Sequence, residues 1–326
     1  MAEARSRGLT VHNSWGSGRH ALLILLVTAL TGCGWMPGAD RSAPIPSPTP
    51  DSHTLESPTQ APPVESSPTA SPLPASTPTP ACNDSQGSIV EDQYQGHNVQ
   101  QDVPVLVYLP PCIATMPGPL PVLYLLHGKP FTEQHWVDLG VVGAEQARPA
   151  TPNVAHWILV MPRVPEPLFS SSDGGPGSYE DEFTGWLMPY IESTYPVRKD
   201  PGGRAIAGIS RGGVWSLEIG LRHPELFGTV IALSPALAVN HPRPAYDPFR
   251  IVTSADSLPS HIFLAAGDDD WAKPETQKLL QQLTARGAQP DSAWVPGAHA
   301  AATWEALIPQ VLAFTDRWLT PSGTTP

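Results

Sequence analysis

Five residues, Gly208-Ile209-Ser210-Arg211-Gly212, set a serine between two glycines in the pattern G-x-S-x-G. In a chain of this size that pattern turns up by composition in roughly one case in six or seven, so its position has to carry the argument. Arg204 to Ala207 before it is apolar and strand-like, and a helical spacing begins near Gly212. A serine on a tight strand-to-helix turn is strained and exposes its hydroxyl, and side chains at the flanking positions would collide with neighbouring elements. Gly213 adds further room. Ser210 is therefore the expected nucleophile.

A serine hydroxyl attacks poorly unless a base takes its proton and an acid orients that base. In this arrangement the chain order is serine, acid, histidine. His299 fits the base, because Trp294-Val295-Pro296-Gly297-Ala298-His299 reads as a short strand and a glycine loop just before the last amphipathic helix. His223 and His241 adjoin prolines in loops, and His261 begins a strand. The acid should follow the preceding strand, and Ile262 to Gly267 runs directly into Asp268, Asp269 and Asp270. Three adjacent carboxylates also suit a solvated turn or a Ca²⁺ ligand set, although a contiguous run lacks the alternating spacing of an EF-hand. A residue three positions beyond the strand can turn back toward His299, which favours Asp270.

Backbone N–H groups must meet the developing oxyanion. One is expected from Arg211, the residue after the serine, and the other from the loop after Leu126-His127-Gly128. Pro130 has no N–H, so Lys129 is the candidate and His127 shapes the turn. No cofactor is required by this chemistry, and no C-x-x-C or H-E-x-x-H metal spacing occurs.

The elements that would position these residues can be read from periodicity. Val99 to Leu109 alternates, with Val103, Val105, Val107 and Leu109 on one face, as a half-buried strand does. Val122 to Leu126, Trp157 to Met161, Ala205 to Ala207, Val230 to Leu233 and Ile262 to Ala265 are short continuous apolar runs. Such runs suit central parallel strands covered on both faces. Helical spacing falls between them, at Tyr179 to Tyr195, Gly212 to Arg222, Glu275 to Arg286 and Thr303 to Trp318. The last places Trp304, Leu307, Ile308, Val311, Leu312 and Trp318 on one face. The expected fold is α/β: a mostly parallel sheet with helices on both faces, an early antiparallel hairpin, and one catalytic domain over residues 82–320.

Tyr124-Leu125-Leu126-His127-Gly128, Trp136, Ala207 to Gly213, His223-Pro224-Glu225-Leu226-Phe227 and the Gly297-x-His299 loop with Trp304 together resemble one esterase family of the α/β-hydrolase fold. That family groups esterase D (S-formylglutathione hydrolase), feruloyl esterases, siderophore esterases and mycolyltransferases. The resemblance covers most of residues 99–318. It implies hydrolysis or transfer of an acyl group, and its spacing of the acid from the glycine that ends the strand also points to Asp270. Many members carry Met where this chain has Arg211, which puts a cation near the acyl pocket.

The leading expectation is a serine carboxylic-ester hydrolase acting on a small-molecule or polymer-linked ester. An acyltransferase with a sugar or lipid hydroxyl as acceptor would use the same groups. A non-catalytic surface binding protein on a hydrolase scaffold would have no reason to keep all of them.

The N-terminus reads as an address. Arg5, Arg7, Arg19 and His20 precede the apolar run Ala21 to Leu30, which is too short to span a bilayer and ends at Leu30-Thr31-Gly32-Cys33. This is similar to the lipobox of bacterial lipoproteins, so residues 1–32 are expected to be a signal peptide and Cys33 the lipidated first residue. Between Met36 and Cys82 the chain holds 13 prolines and 14 serines and threonines. Such a stretch cannot bury enough apolar surface to fold, so residues 33–81 are expected to be a disordered, lipid-anchored linker, and residues 321–326 a disordered tail. The resulting location is extracytoplasmic, with the membrane as partner through the lipid. In that oxidising compartment Cys82 and Cys112 remain as an even pair, expected to form a disulfide, with two buried thiols as the other possibility. A formal charge of −12 without a Lys/Arg cluster argues against nucleic acid as a partner.

Overall fold

A computed structural model describes Cys82, residues 84–148 and residues 156–319. The expected signal peptide, Cys33, the linker and the tail lie outside the described residues. No described helix is long and apolar enough to cross a membrane.

Eight strands form one sheet: Ser88–Gln95 (β1), Asp102–Leu109 (β2), Val122–Leu126 (β3), Ile158–Pro162 (β4), Arg204–Ile209 (β5), Thr229–Leu233 (β6), His261–Gly267 (β7) and Asp291–Val295 (β8). Their order is β1-β2-β4-β3-β5-β6-β7-β8. The pairings β1·β2 and β2·β4 are antiparallel, and all others are parallel. The helices are His135–Asp138 (α1), Val141–Gln146 (α2), Tyr179–Glu182 (α3), Met188–Thr194 (α4), Arg211–Arg222 (α5), Pro248–Ser254 (α6), Lys273–Ala285 (α7) and Ala301–Trp318 (α8). A π-helical stretch, Phe183–Leu187, joins α3 to α4, so the helix expected over 179–195 is continuous but locally underwound, with an extra residue in the turn.

The continuous apolar strands are explained by two cores, one on each face of the sheet. Along β3, Val122, Tyr124 and Leu126 enter the core that also holds Val214 and Leu217 of α5, while Leu123 and Leu125 enter the core holding Trp136 and Leu307 and Val311 of α8. Strict alternation puts successive side chains on opposite faces, so a strand covered twice must be apolar throughout. This is the α/β-hydrolase fold in a single domain, as expected.

Three readings are corrected by the structure. The alternating strand begins at Asp102 rather than Val99, and from Val105 to Tyr108 it is buried on both faces rather than half-buried. Its hairpin partner β1 carries Glu91, Asp92 and Gln93, whose polarity hid it. Trp318, placed by periodicity on the buried face of α8, is 37% exposed and stacks at 3.7 Å on His261, the half-buried first residue of β7, instead. As expected, Cys82 and Cys112 are joined by a disulfide, which ties the start of the described domain to the turn after β2.

Candidate active site

Ser210 sits between β5 and α5 with φ 53° and ψ −113°, a left-handed conformation that costs a residue with a Cβ on the order of 1–3 kcal/mol. The surroundings hold it there. Its N–H donates to Leu233 O at 2.9 Å, and its carbonyl accepts from Ala236 N–H at 3.0 Å and from Val214 N–H at 3.1 Å. The two glycines of the motif are sterically required. A Cβ on Gly208 would lie 2.1 Å from Gly212 O, and one on Gly212 would lie 2.4 Å from His127 O. Strand, turn and helix pass each other at backbone contact.

Ser210 is only 8% exposed, and its hydroxyl meets one base. His299 Nε2 lies 2.9 Å from Ser210 Oγ, and His299 Nδ1 lies 2.8 Å from Asp270 Oδ1. A carboxylate only accepts, so Nδ1 carries the proton and the lone pair of Nε2 faces the serine hydroxyl. The other two acids go elsewhere. Asp268 pairs with Lys273 Nζ at 2.8 Å, and Asp269 directs its N–H to Gly297 O at 3.0 Å. That last bond, with Asp268 N–H to Val295 O at 2.7 Å, zips the loops after β7 and β8 together and brings Asp270 under His299.

Burial works to raise the Asp270 carboxyl, but the hydrogen bonds from His299 and the Ala272 N–H, with the Ser234 hydroxyl close by, outweigh it and hold the group below the ordinary range. Ser234 itself accepts from Trp304 Nε1 at 3.1 Å. His299 is further enclosed by Trp271, whose ring lies 4.4 Å away, and by the edge-on ring of Trp304 at 5.2 Å.

Lys129 and Arg211 approach the serine from opposite chain segments. Gly128 packs against Ser210, its missing Cβ 3.4 Å from Ser210 Cβ. The Gly128 N–H is committed to His135 Nδ1 at 3.2 Å, Phe131 N–H to Gly128 O at 3.0 Å, and Pro130 has none. Lys129 N–H has no acceptor among the described residues. Arg211 is the first residue of α5, so its N–H has no intrahelical partner and lies at the positive end of the helix dipole.

His127 has a supporting place. Its Nδ1 donates to Gly128 O at 3.0 Å and its Nε2 accepts from Val164 N–H at 2.9 Å, while burial pushes its pKa down to about 4. Nothing in the sequence reading singled out His135, Ser234 or Asn240. His135 is likewise pushed down to about 4 by burial, and as a neutral acceptor it fixes the loop that bears Lys129. None of the three falls in a motif, and only their neighbours in space give them away. The loop 165–177 is tied to the site by Lys129 Nζ to Ser170 Oγ at 2.6 Å and by Arg211 Nε to Phe169 O at 3.0 Å.

The arrangement supplies a hydroxyl beside an imidazole, a carboxylate bonded to the far side of that imidazole, and two unengaged N–H groups nearby. A family model described as "Putative esterase" matches residues 96–315. The chain belongs to this esterase family.

The "Endo-1,4-beta-xylanase/feruloyl esterase" of Xylanibacter ruminicola is 29% identical over 194 residues, 58% of this chain and 25% of that protein. The "Ferri-bacillibactin esterase BesA" of Bacillus subtilis is 29% identical over 142 residues, 43% of this chain and 44% of that protein. The chain thus spans between a quarter and a half of these curated relatives. A solved structure of a "ferulic acid esterase" superposes with a TM-score of 0.63 at 26% identity, covering 72% of this chain and 99% of that one.

Proposed function

We propose that this family member is a serine carboxylic-ester hydrolase working by an acyl-enzyme on Ser210. The observation that carries the reading is the imidazole of His299, which spans from Ser210 Oγ at 2.9 Å to Asp270 Oδ1 at 2.8 Å. His299 Nε2 takes the hydroxyl proton as Oγ attacks the ester carbonyl. Asp270 holds the tautomer and steadies the imidazolium that forms. The N–H groups of Lys129 and Arg211 receive the carbonyl oxygen as it becomes an oxyanion, where fixed donors are worth more than mobile water. His299 then gives the proton to the departing alcohol, the acyl–Oγ bond remains, and a water deprotonated by the same nitrogen attacks it to release the acid and restore Ser210. Trp271, 46% exposed beside His299, and Phe131, 41% exposed beside the Lys129 loop, give the mouth an apolar rim suited to an organic alcohol or aryl group.

The N-terminal address supports an extracytoplasmic lipoprotein, with residues 1–32 removed, Cys33 lipidated and residues 33–81 as the tether to the membrane. The described disulfide agrees with an oxidising location. The reading is tested with the soluble domain from Cys82 onward, which should cleave short aryl esters and react with a fluorophosphonate probe. Labelling that persists unchanged in Ser210→Ala would place the nucleophile elsewhere. A mature N-terminus other than Cys33 by intact mass would remove the lipoprotein part alone.

A further inference from the structure

Arg211 carries a positive charge that no carboxylate in the site neutralises. Its guanidinium donates from Nε to Phe169 O at 3.0 Å and from Nη1 to Asn240 Oδ1, and it lies over the Trp215 ring at 5.3 Å. Both acceptors are uncharged. Nη2 has no hydrogen-bond partner, and no Asp or Glu oxygen comes within ion-pairing distance among the described residues. The two acids whose fields reach it are otherwise disposed. Glu166 is taken by Lys129 Nζ at 2.8 Å. Glu218 is pushed up to about 8, first by burial and then by the neighbouring Glu180, so that at neutral pH it is largely uncharged. Burial meanwhile lowers the Arg211 pKa, the mark of a cation drawn from water without full compensation.

Asn240 shows the same deficit. It is 9% exposed, its Oδ1 is fixed by the arginine, and its Nδ2 is buried without a partner. A buried amide N–H₂ left unbonded costs about 1–3 kcal/mol. Two donor groups, one charged, are therefore left unbonded on adjacent side chains, and both are built on the nucleophile's own supports. Arg211 directly follows Ser210, and Asn240 ends the loop after β6 whose Ala236 N–H holds Ser210 O at 3.0 Å. The residues that touch His299 are Ser210, Asp270, Trp271 and Trp304, none of which contacts the guanidinium. An alcohol leaving group must stay within reach of His299, so the acyl chain is the part that runs toward Arg211.

We propose that Arg211 Nη2 and Asn240 Nδ2 form an anion subsite on the acyl side of Ser210, and that the preferred acyl group ends in a carboxylate, as in the half-ester of a short dicarboxylic acid. The proposal rests on the serine-esterase reading above. A charged acyl end supplies the missing counter-ion, and both donors gain charge-assisted hydrogen bonds on binding. Neutral acyl groups of the same length leave both donors unpaired.

The test compares two esters of equal acyl length, ethyl hydrogen succinate and ethyl butyrate, by acid release in a pH-stat. Wild type should favour the half-ester in kcat/KM by about ten-fold or more, the factor expected of one charge-assisted pair. Arg211→Met should bring that ratio to about one or below, Arg211→Lys should keep part of it, and Asn240→Asp, which installs an internal carboxylate beside the guanidinium, should abolish it. A wild-type ratio near one, or variants that slow both esters alike, would overturn the subsite and leave Arg211 as an anchor for the 165–177 loop. Binding separates this outcome from failure of the esterase reading itself. In Ser210→Ala, calorimetry should detect ethyl hydrogen succinate binding more tightly than ethyl butyrate, with the difference lost on adding Arg211→Met. Equal binding of the two esters would sink the proposal whatever the turnover.

Discussion

The indole N–H of Trp304 donates to Ser234 Oγ at 3.1 Å, which leaves the proton of that hydroxyl free to turn toward the buried carboxylate of Asp270. Ser234 is held for this purpose at φ 47°, its N–H bonded to Ala265 O at 2.7 Å. The carboxylate bonded to His299 thus lies beside a hydroxyl that is itself fixed from α8, on the loop after β6.

Removing that hydroxyl in Ser234→Ala should lower kcat about ten-fold with little change in KM, the size of one lost buried hydrogen bond to a charged group. Trp304→Phe, which keeps a ring but no N–H, should move kcat in the same direction by less. The Asp270 pKa is below its unfolded value, so its contribution to stability is present above the ordinary carboxylate range and lost as pH falls through the folded value. With Ser234→Ala the folded pKa rises, and acid unfolding should begin at higher pH. Equal kcat in wild type and both variants would show that the Ser234 contact does not matter to the acid.

Among the three adjacent acids, Asp270→Asn should reduce kcat by up to about 10⁴, because the amide favours the wrong imidazole tautomer, while Asp268→Asn and Asp269→Asn change it only a few-fold. Thermal melting of each variant controls for folding. A severe loss confined to Asp268 or Asp269 would contradict the assignment.

Glu218 gives a stability prediction of the opposite sign from Asp270. Its folded pKa of about 8 lies above the unfolded value near 4.5, so between those values the unfolded chain releases a proton that the fold retains, and stability declines as pH rises. Glu218→Gln removes this drain. The variant should match wild type near pH 4.5, gain progressively above it, and be more stable by at least about 1 kcal/mol at pH 8 and beyond. Denaturant unfolding at several pH values measures the difference, and a gain independent of pH would show that Glu218 is charged in the fold.

Reducing the Cys82–Cys112 bridge frees a loop with a sequence separation of 30 residues. Loop-closure entropy puts the cost at about 3–4 kcal/mol, read as a lower melting temperature under reducing agent. An unchanged melt would mean that the N-terminal segment unfolds separately from the rest.

Sequence alone determined whatever depends on neighbours along the chain. A glycine two residues on either side of Ser210 is demanded by backbone contact within one turn, and continuous apolar runs are demanded by strands covered on both faces. For the same reason His299, in its glycine loop before α8, and Asp270, three residues past the end of its strand, could be picked from their place in the order of elements. Tertiary structure alone decided what depends on residues distant in sequence. Asn240 is tied to Arg211 across 29 residues and Ser234 to Trp304 across 70, and His135 serves the Lys129 loop from a helix with no motif of its own. A side chain's type restricts which bonds it can make, but whether a buried donor finds an acceptor or stays open is fixed only when the sheet brings separate loops to one edge.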